Sequence, residues 1–95
     1  MVQILFTVRD LLAKINESSL RNFTICVADN NSDSELFSTS VLGRDTDVSE
    51  SLDDFIMRIC ASEKDRRSLN AILDKGVVTY TINKYGKMSE IIIYV

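Results

Sequence analysis

The chain lacks histidine, tryptophan and proline altogether, and it has only three glycines and two cysteines. Histidine is the commonest general base and the commonest metal ligand in proteins. Its absence excludes His-dependent catalytic triads and metal sites, and the serines show neither an S-x-x-K nor a G-x-S-x-G pattern. We therefore expect a protein that is not an enzyme and that holds no cofactor and no metal.

Long apolar runs are also missing from the sequence. No stretch approaches the roughly 18–20 residues that cross a bilayer, so we expect no membrane partner. The opening segment, Met1 to Val8, is apolar but short, has no basic region, and meets Arg9 and Asp10 at once. These are not the features of a secretory signal. We expect a cytoplasmic protein.

The two cysteines, Cys26 and Cys60, lie in apolar patterns far apart in the sequence. In a chain without a secretion signal, two reduced and buried thiols are the favoured interpretation, and a disulfide between them is the alternative. Buried structural thiols are usually inert. The cysteines therefore do not indicate a nucleophile.

Basic residues are scarce in one segment, and that scarcity is the main functional signal. Residues 29–54 hold eight carboxylates and one base, Arg44, which gives this segment a formal charge of −7. The carboxylates are Asp29, Asp33, Glu35, Asp45, Asp47, Glu50, Asp53 and Asp54. The residues before the segment carry +1 and those after it carry +3. Such segregation indicates a surface for a positively charged partner.

Hydrophobic periodicity predicts three helices and four strands. Thr7 is a candidate N-cap with Asp10 at the third helical position, and the apolar stripe that follows predicts a first helix ending near Asn16–Glu17. A second helix should begin near Asp47 or Ser49, and a third after Ser62. Strands are expected at residues 23–28, 35–42, 77–83 and 88–95, with Gly86 at positive φ in the last turn.

These elements predict an α+β fold in a single domain over residues 1–95. The expected order is α-β-β-α-α-β-β, with an antiparallel four-stranded sheet and helices on one face. A short strand at Val2–Phe6 would make the sheet five-stranded. The last strand, 88–95, is apolar on both faces, which is typical of a strand in the sheet interior.

Two other kinds of ligand, calcium and nucleic acid, are each suggested by part of the sequence. The runs Asp29-x-Asn31-x-Asp33 and Asp45-x-Asp47-x-Ser49 resemble the start of a calcium-binding EF-hand loop, but both lack the Gly at position six and the Glu at position twelve. Direct nucleic-acid binding would need a basic face, and a net charge of −3 opposes phosphate. We expect neither calcium nor nucleic acid as a direct ligand.

Part of the acidic segment has a structural explanation. Asp29 and Asp33 suit a turn, and Asp47 and Glu50 suit the N-cap and third position of the second helix. Turn and capping roles do not account for Glu35, Asp45 and Asp54. They also do not explain why bases are nearly absent from the segment. The candidate partner-binding residues are therefore Glu35, Asp45, Asp47, Glu50, Asp53 and Asp54.

A compact acidic α+β chain without catalytic residues, opening on the helix Thr7-Val-Arg-Asp-Leu-Leu12, resembles small phage or mobile-element inhibitors. These include anti-CRISPR proteins that mimic nucleic acids. The resemblance implies a protein that blocks a basic, nucleic-acid-binding nuclease by presenting carboxylates to it, in the host cytoplasm if a phage encodes it. The chain is expected to be a monomer or a homodimer. The alternative function is a structural or oligomeric module that self-associates by pairing its C-terminal strand Ile91–Val95 with a copy of itself.

Overall fold

The computed structural model describes residues 6–95 of the chain, and the order of its elements agrees with the sequence pattern. The helices and strands are α1 (Val8–Glu17), β1 (Phe23–Ala28), β2 (Glu35–Val41), α2 (Leu52–Ile59), α3 (Glu63–Asn70), β3 (Thr79–Tyr85) and β4 (Met88–Tyr94). The predicted α+β fold with three helices and a four-stranded sheet is thus confirmed. Most of the segment predicted as a fifth strand, Val2–Phe6, lies outside the described residues.

Side-chain capping fixes where each helix begins. At α1 the Thr7 hydroxyl accepts a hydrogen bond from the Asp10 N–H while the Asp10 carboxylate accepts one from the Thr7 N–H, which is the predicted capping box. Ser51 and Ser62 cap α2 and α3 in the same manner, each accepting from the N–H three residues on. The start predicted for the second helix, Asp47 or Ser49, is therefore too early, because Ser51 supplies the cap.

The strand order is β2-β1-β4-β3, and the sheet is mixed. β1 pairs antiparallel with β2, and β3 pairs antiparallel with β4, but β1 and β4 run parallel. The prediction of a purely antiparallel sheet is wrong. The two hairpins are joined by the long α2–α3 connection, which lets β4 enter the sheet beside β1 in the same direction, as crossover connections do.

β4 is apolar on both faces because it lies in the interior of the sheet, between β1 and β3. Ile91 and Ile93 are fully buried under the helices, beside Ile25 and Val27 of β1. Ile92 and Tyr94 are half-buried on the opposite face, which no described helix covers. Because β4 pairs with β1 on one side and β3 on the other, it has no free edge. Self-association by edge addition through Ile91–Val95 is therefore ruled out, and β2 and β3 are the edges of the described sheet.

All three helices pack on one face of the sheet and close one hydrophobic core. Its largest fully buried side chains are Phe23, Phe55, Leu12, Ile25, Leu69, Ile91 and Ile93. The helix layer lies towards β2, because α2 and α3 both contact that strand. Within residues 6–95, no helix is long and apolar enough to cross a membrane.

Candidate partner-binding surface

The acidic segment is held in place by its one base. Arg44 is only 6% exposed and lies beneath the C-terminal end of α1. Its guanidinium donates to the carbonyls of Ile15 (3.2 Å) and Asn16, and to the Asn16 side-chain oxygen at 2.6 Å. It also lies 4.9 Å from the centre of the Phe55 ring. These carbonyls form the negative end of the helix dipole, so α1 neutralises Arg44 in place of a carboxylate.

Further hydrogen bonds fasten the loop on either side of Arg44. The Gly43 N–H donates to the Asn22 side-chain oxygen at 2.8 Å, and the Asn16 amide donates to the Glu50 carbonyl at 2.8 Å. The loop that carries Asp45 and Asp47 is thus tied to the residue before β1 at one end and to α1 at the other. Because the charge of Arg44 is buried, the solvent-facing charge of this loop comes from carboxylates.

Three of the predicted residues converge on one open depression of about 790 Å³, formed by the loop and the first two turns of α2. They are Asp45, Glu50 and Asp54. Glu50 is paired: its carboxylate accepts from Arg58 Nε at 2.7 Å, and its side chain is only 12% exposed. Asp45 and Asp54 are exposed and have no ion-pair partner among the described residues.

Arg58 lies within the electrostatic influence of all three of these carboxylates. The pKa of Arg58 is raised, first by its hydrogen bond with Glu50 and the charge of that group, and then by the charges of Asp54 and Asp45. The side chain of Arg58 is 62% exposed. The depression therefore contains a fixed ion pair between Glu50 and Arg58, flanked by two carboxylates that are free to meet a cation.

Apolar side chains share this depression with the acids. Val48 and Met57 line it and are 63% and 53% exposed. They give the depression an apolar wall beside its charges. The site is thus suited to a ligand that is cationic and has an aliphatic part, such as a lysine or arginine side chain.

The remaining predicted residues lie elsewhere. Asp53 is exposed at the start of α2 but does not line the depression. Asp47 faces an adjoining, smaller depression of about 340 Å³ with Glu17. Glu35 lies at the far end of β2, where its carboxylate accepts from the Cys26 thiol at 3.7 Å. The six residues therefore do not form one face: the structure brings three together and separates three.

The turn-forming roles predicted for Asp29 and Asp33 are confirmed. The capping roles predicted for Asp47 and Glu50 at α2 are wrong. Asp29 accepts a hydrogen bond from the Asn31 N–H at 2.8 Å, and Asp33 has a φ of 56°, a left-handed conformation that Asp tolerates. Asp47 and Glu50 do not cap α2. Asp45 instead accepts from the Asp47 N–H at 2.9 Å, which shapes the loop.

The carboxylates and thiols of the described residues form neither a metal site nor a disulfide. In residues 6–95 no three His, Cys, Asp or Glu side chains are grouped so that they could hold a metal ion. Cys26 and Cys60 are free and half-buried. Burial raises the pKa of both thiols, and the Glu35 charge raises that of Cys26 further. Both are thus poor thiolate nucleophiles at neutral pH.

Sequence reasoning missed the residues that complete the depression. Val48, Met57 and Arg58 are not among the predicted site residues. α2 begins at Leu52, which leaves Val48 exposed in the preceding loop. The spacing of Asp54 and Arg58, one helical turn apart, was the available signal that they share a face.

The chain matches no protein-family model, and no curated protein or solved structure is significantly similar to it.

Proposed function

We propose that this protein is a non-enzymatic interaction protein that binds a basic partner through the depression between the 44–51 loop and α2. The observation that carries the proposal is the convergence of Asp45 and Asp54 beside exposed Val48 and Met57. We name this surface the acidic groove. It comprises Asp45, Val48, Ser49, Glu50, Asp54, Met57 and Arg58.

The arrangement favours a protein partner over a small cation. A metal ion needs several oxygen ligands within about 2.6 Å, and the described carboxylates are not grouped in that way. A lysine or arginine side chain needs one or two carboxylates for its head and apolar contact for its stem. Asp45 and Asp54 supply the first, and Met57 and Val48 supply the second.

The partner class we propose is a nucleic-acid-binding protein, whose Lys/Arg-lined channel normally holds phosphates. The resemblance to anti-CRISPR proteins points to a CRISPR effector nuclease within this class. Carboxylates on a rigid loop would occupy phosphate positions in such a channel and exclude the nucleic acid. Electrostatic steering would make association fast and strongly dependent on salt.

A pair of neighbouring residues gives a matched test. Asp53 and Asp54 are both exposed in the first turn of α2, but Asp54 lines the acidic groove and Asp53 does not. We expect D45N/D54N to weaken binding to an Arg/Leu-rich peptide at least about tenfold, a change of about 1.4 kcal/mol. The control D33N/D53N removes the same charge and should leave the affinity within a factor of about two, because asparagine also suits the left-handed position of Asp33.

Binding should be measured by titration calorimetry between about 0.1 M and 1 M salt, where the screening length falls from about 10 Å to about 3 Å. Equal losses for both double variants would mean that net charge alone attracts the peptide, which contradicts an assembled site. Inhibition of DNA cleavage by guide-loaded effector nucleases tests the narrower proposal. If the peptide binds at the groove and no nuclease is inhibited, the proposed partner class is wrong, but the groove remains a binding site for basic segments.

A further inference from the structure

Arg58, the basic member of the acidic groove, is held at one nitrogen and open at the other two. Its Nε donates to the Glu50 carboxylate at 2.7 Å, and the Glu50 side chain is only 12% exposed. The Arg58 side chain is 62% exposed, and its terminal Nη1 and Nη2 groups have no hydrogen-bond partner among residues 6–95. Glu50 thus positions the guanidinium while two of its nitrogens can still donate to a ligand.

The bond to Glu50 also keeps Arg58 from pairing with Asp54. Residues four apart face one another on a helix, and an aspartate and an arginine at that spacing attract. These two side chains of α2 nevertheless form no ion pair, since Arg58 is bound to the loop instead. A free carboxylate and a partly free guanidinium therefore lie about 6 Å apart along the helix axis, at roughly 1.5 Å per residue. The exposed Met57 lies beside them.

This part of the groove lies away from the point where the described chain begins. That point is Phe6, whose carbonyl accepts from the Val77 N–H just before β3. α2 instead contacts β2, and these two strands are the opposite edges of the described sheet. The donors of Arg58 are therefore set by the loop and α2, both of which the structure describes throughout.

A purely cationic ligand does not satisfy this arrangement. A lysine bound at Asp54 brings its ammonium within about one helical turn of the Arg58 guanidinium, where like charges repel. A ligand carboxylate beside Arg58 instead accepts charge-assisted hydrogen bonds from Nη1 and Nη2, which are among the strongest in proteins. Attraction of one charge order and repulsion of another together give an interface its specificity.

We propose that Arg58 makes the acidic groove selective for a segment of mixed charge, in which a lysine or arginine has a carboxylate one helical turn away. The base pairs with Asp45 and Asp54, and the carboxylate accepts from Arg58. The aliphatic part of the base packs on Met57. This selectivity deepens the proposed function and rests on it, because it requires the groove to bind a basic segment. It narrows the partner to a basic surface that also carries an acid at this spacing.

Two helical peptides that differ at one position test the selectivity. Both carry leucines and one arginine, and the fourth residue after the arginine is glutamate in one peptide and glutamine in the other. Arginine precedes glutamate because that order pairs less strongly within the peptide. Titration calorimetry at about 0.1 M salt gives the dissociation constants for the unchanged chain and for Arg58→Gln. Arg67→Gln is the matched control, since Arg67 is also exposed in the last turn of a helix but does not line the groove.

The sign of the effect distinguishes a contact from net charge. Arg58→Gln should weaken binding of the glutamate peptide at least about fivefold, because a charge-assisted contact is lost. Binding of the glutamine peptide should tighten or change by less than about twofold, because a like charge is removed. Arg67→Gln should change the affinities of both peptides by the same factor, below about twofold, as a distant charge screened by salt does. The ratio of the two Arg58→Gln effects is the coupling between Arg58 and the glutamate.

A second variant, Arg58→Lys, keeps the charge but lacks the planar pair of donors. It should lose at least about twofold in affinity for the glutamate peptide alone, so the comparison holds even if circular dichroism shows that Arg58→Gln does not fold. Equal effects of Arg58 substitution on the two peptides, or tighter binding of the glutamate peptide, overturn the proposal. If D45N/D54N still weakens peptide binding in that case, the proposed function stands without it. If neither peptide binds the unchanged chain, both proposals fail.

Discussion

Replacing Arg44 should show that one buried base both stabilises the fold and holds the acidic groove. In Arg44→Ala the carbonyls of Ile15 and Asn16 lose their donor and the Phe55 ring loses its cation. Three hydrogen bonds at about 1 kcal/mol each and a cation–π contact of about 1 kcal/mol set an upper value near 4 kcal/mol. Desolvation of the guanidinium, whose Nε has no hydrogen-bond partner, offsets part of this gain.

We therefore expect Arg44→Ala to lower the free energy of unfolding by about 3 kcal/mol, out of about 5–15 kcal/mol for a domain of this kind. Arg44→Met retains the side-chain volume but not the donors, and about 2 kcal/mol should be lost. Arg9→Ala is the control, because it breaks only an exposed ion pair with Asp74 and should cost less than about 1 kcal/mol.

The measurement is urea unfolding followed by far-ultraviolet circular dichroism, with an unchanged m-value required for comparison. Peptide binding should also weaken in Arg44→Met, although no groove carboxylate is altered, because Arg44 holds the loop of Asp45 against α1. A loss of stability no greater than that of the Arg9 control would refute the assignment of Arg44 as the anchor.

Three further predictions follow from the caps and thiols. Thr7→Ala should cost about 1 kcal/mol in chemical denaturation, because it removes the α1 N-cap, and no loss would contradict the capping box. The backbone and hydroxyl of Thr7 lower the pKa of Asp10 below 3.8. The stability that Asp10 contributes is therefore complete above its unfolded pKa and is lost as pH falls through its folded pKa, and Asp10→Asn should flatten acid titrations in that range. Cys26 and Cys60 should alkylate more slowly in the folded protein than in urea at about pH 8, below their raised pKa values, and equal rates timed by mass spectrometry would contradict their burial.

The candidate site was predicted in part, and the residues show why. Asp45 and Asp54 are identified from charge alone, since a run of acids with one base is unusual whatever the fold. Glu35 belongs to the same run, but it lies at the opposite end of β2 from Val41, about 20 Å along the strand at roughly 3.4 Å per residue. Met57 and Val48 could not be assigned, because the length of α2 determines whether their faces are buried. That length depends on which of several candidate caps, Asp47, Ser49 or Ser51, is used.

The sequence by itself determined the local features of this protein. The capping box at Thr7, the left-handed Asp33 and Gly86, and the buried face of α1 each depend on residues within a few positions of one another. It also determined that an acidic segment exists. Interactions of this range are encoded directly, because neighbouring residues meet in any fold that the chain adopts.

Only the tertiary structure decided how distant segments meet. The parallel pairing of β1 with β4 joins residues 66 positions apart, and no periodicity within either strand specifies that partner or direction. The same holds for Arg44, whose place under α1 turns a solitary base into the anchor of an acidic surface. Charge and hydrophobicity are properties of residues, but a binding surface is a property of their arrangement, which the packing of the core determines.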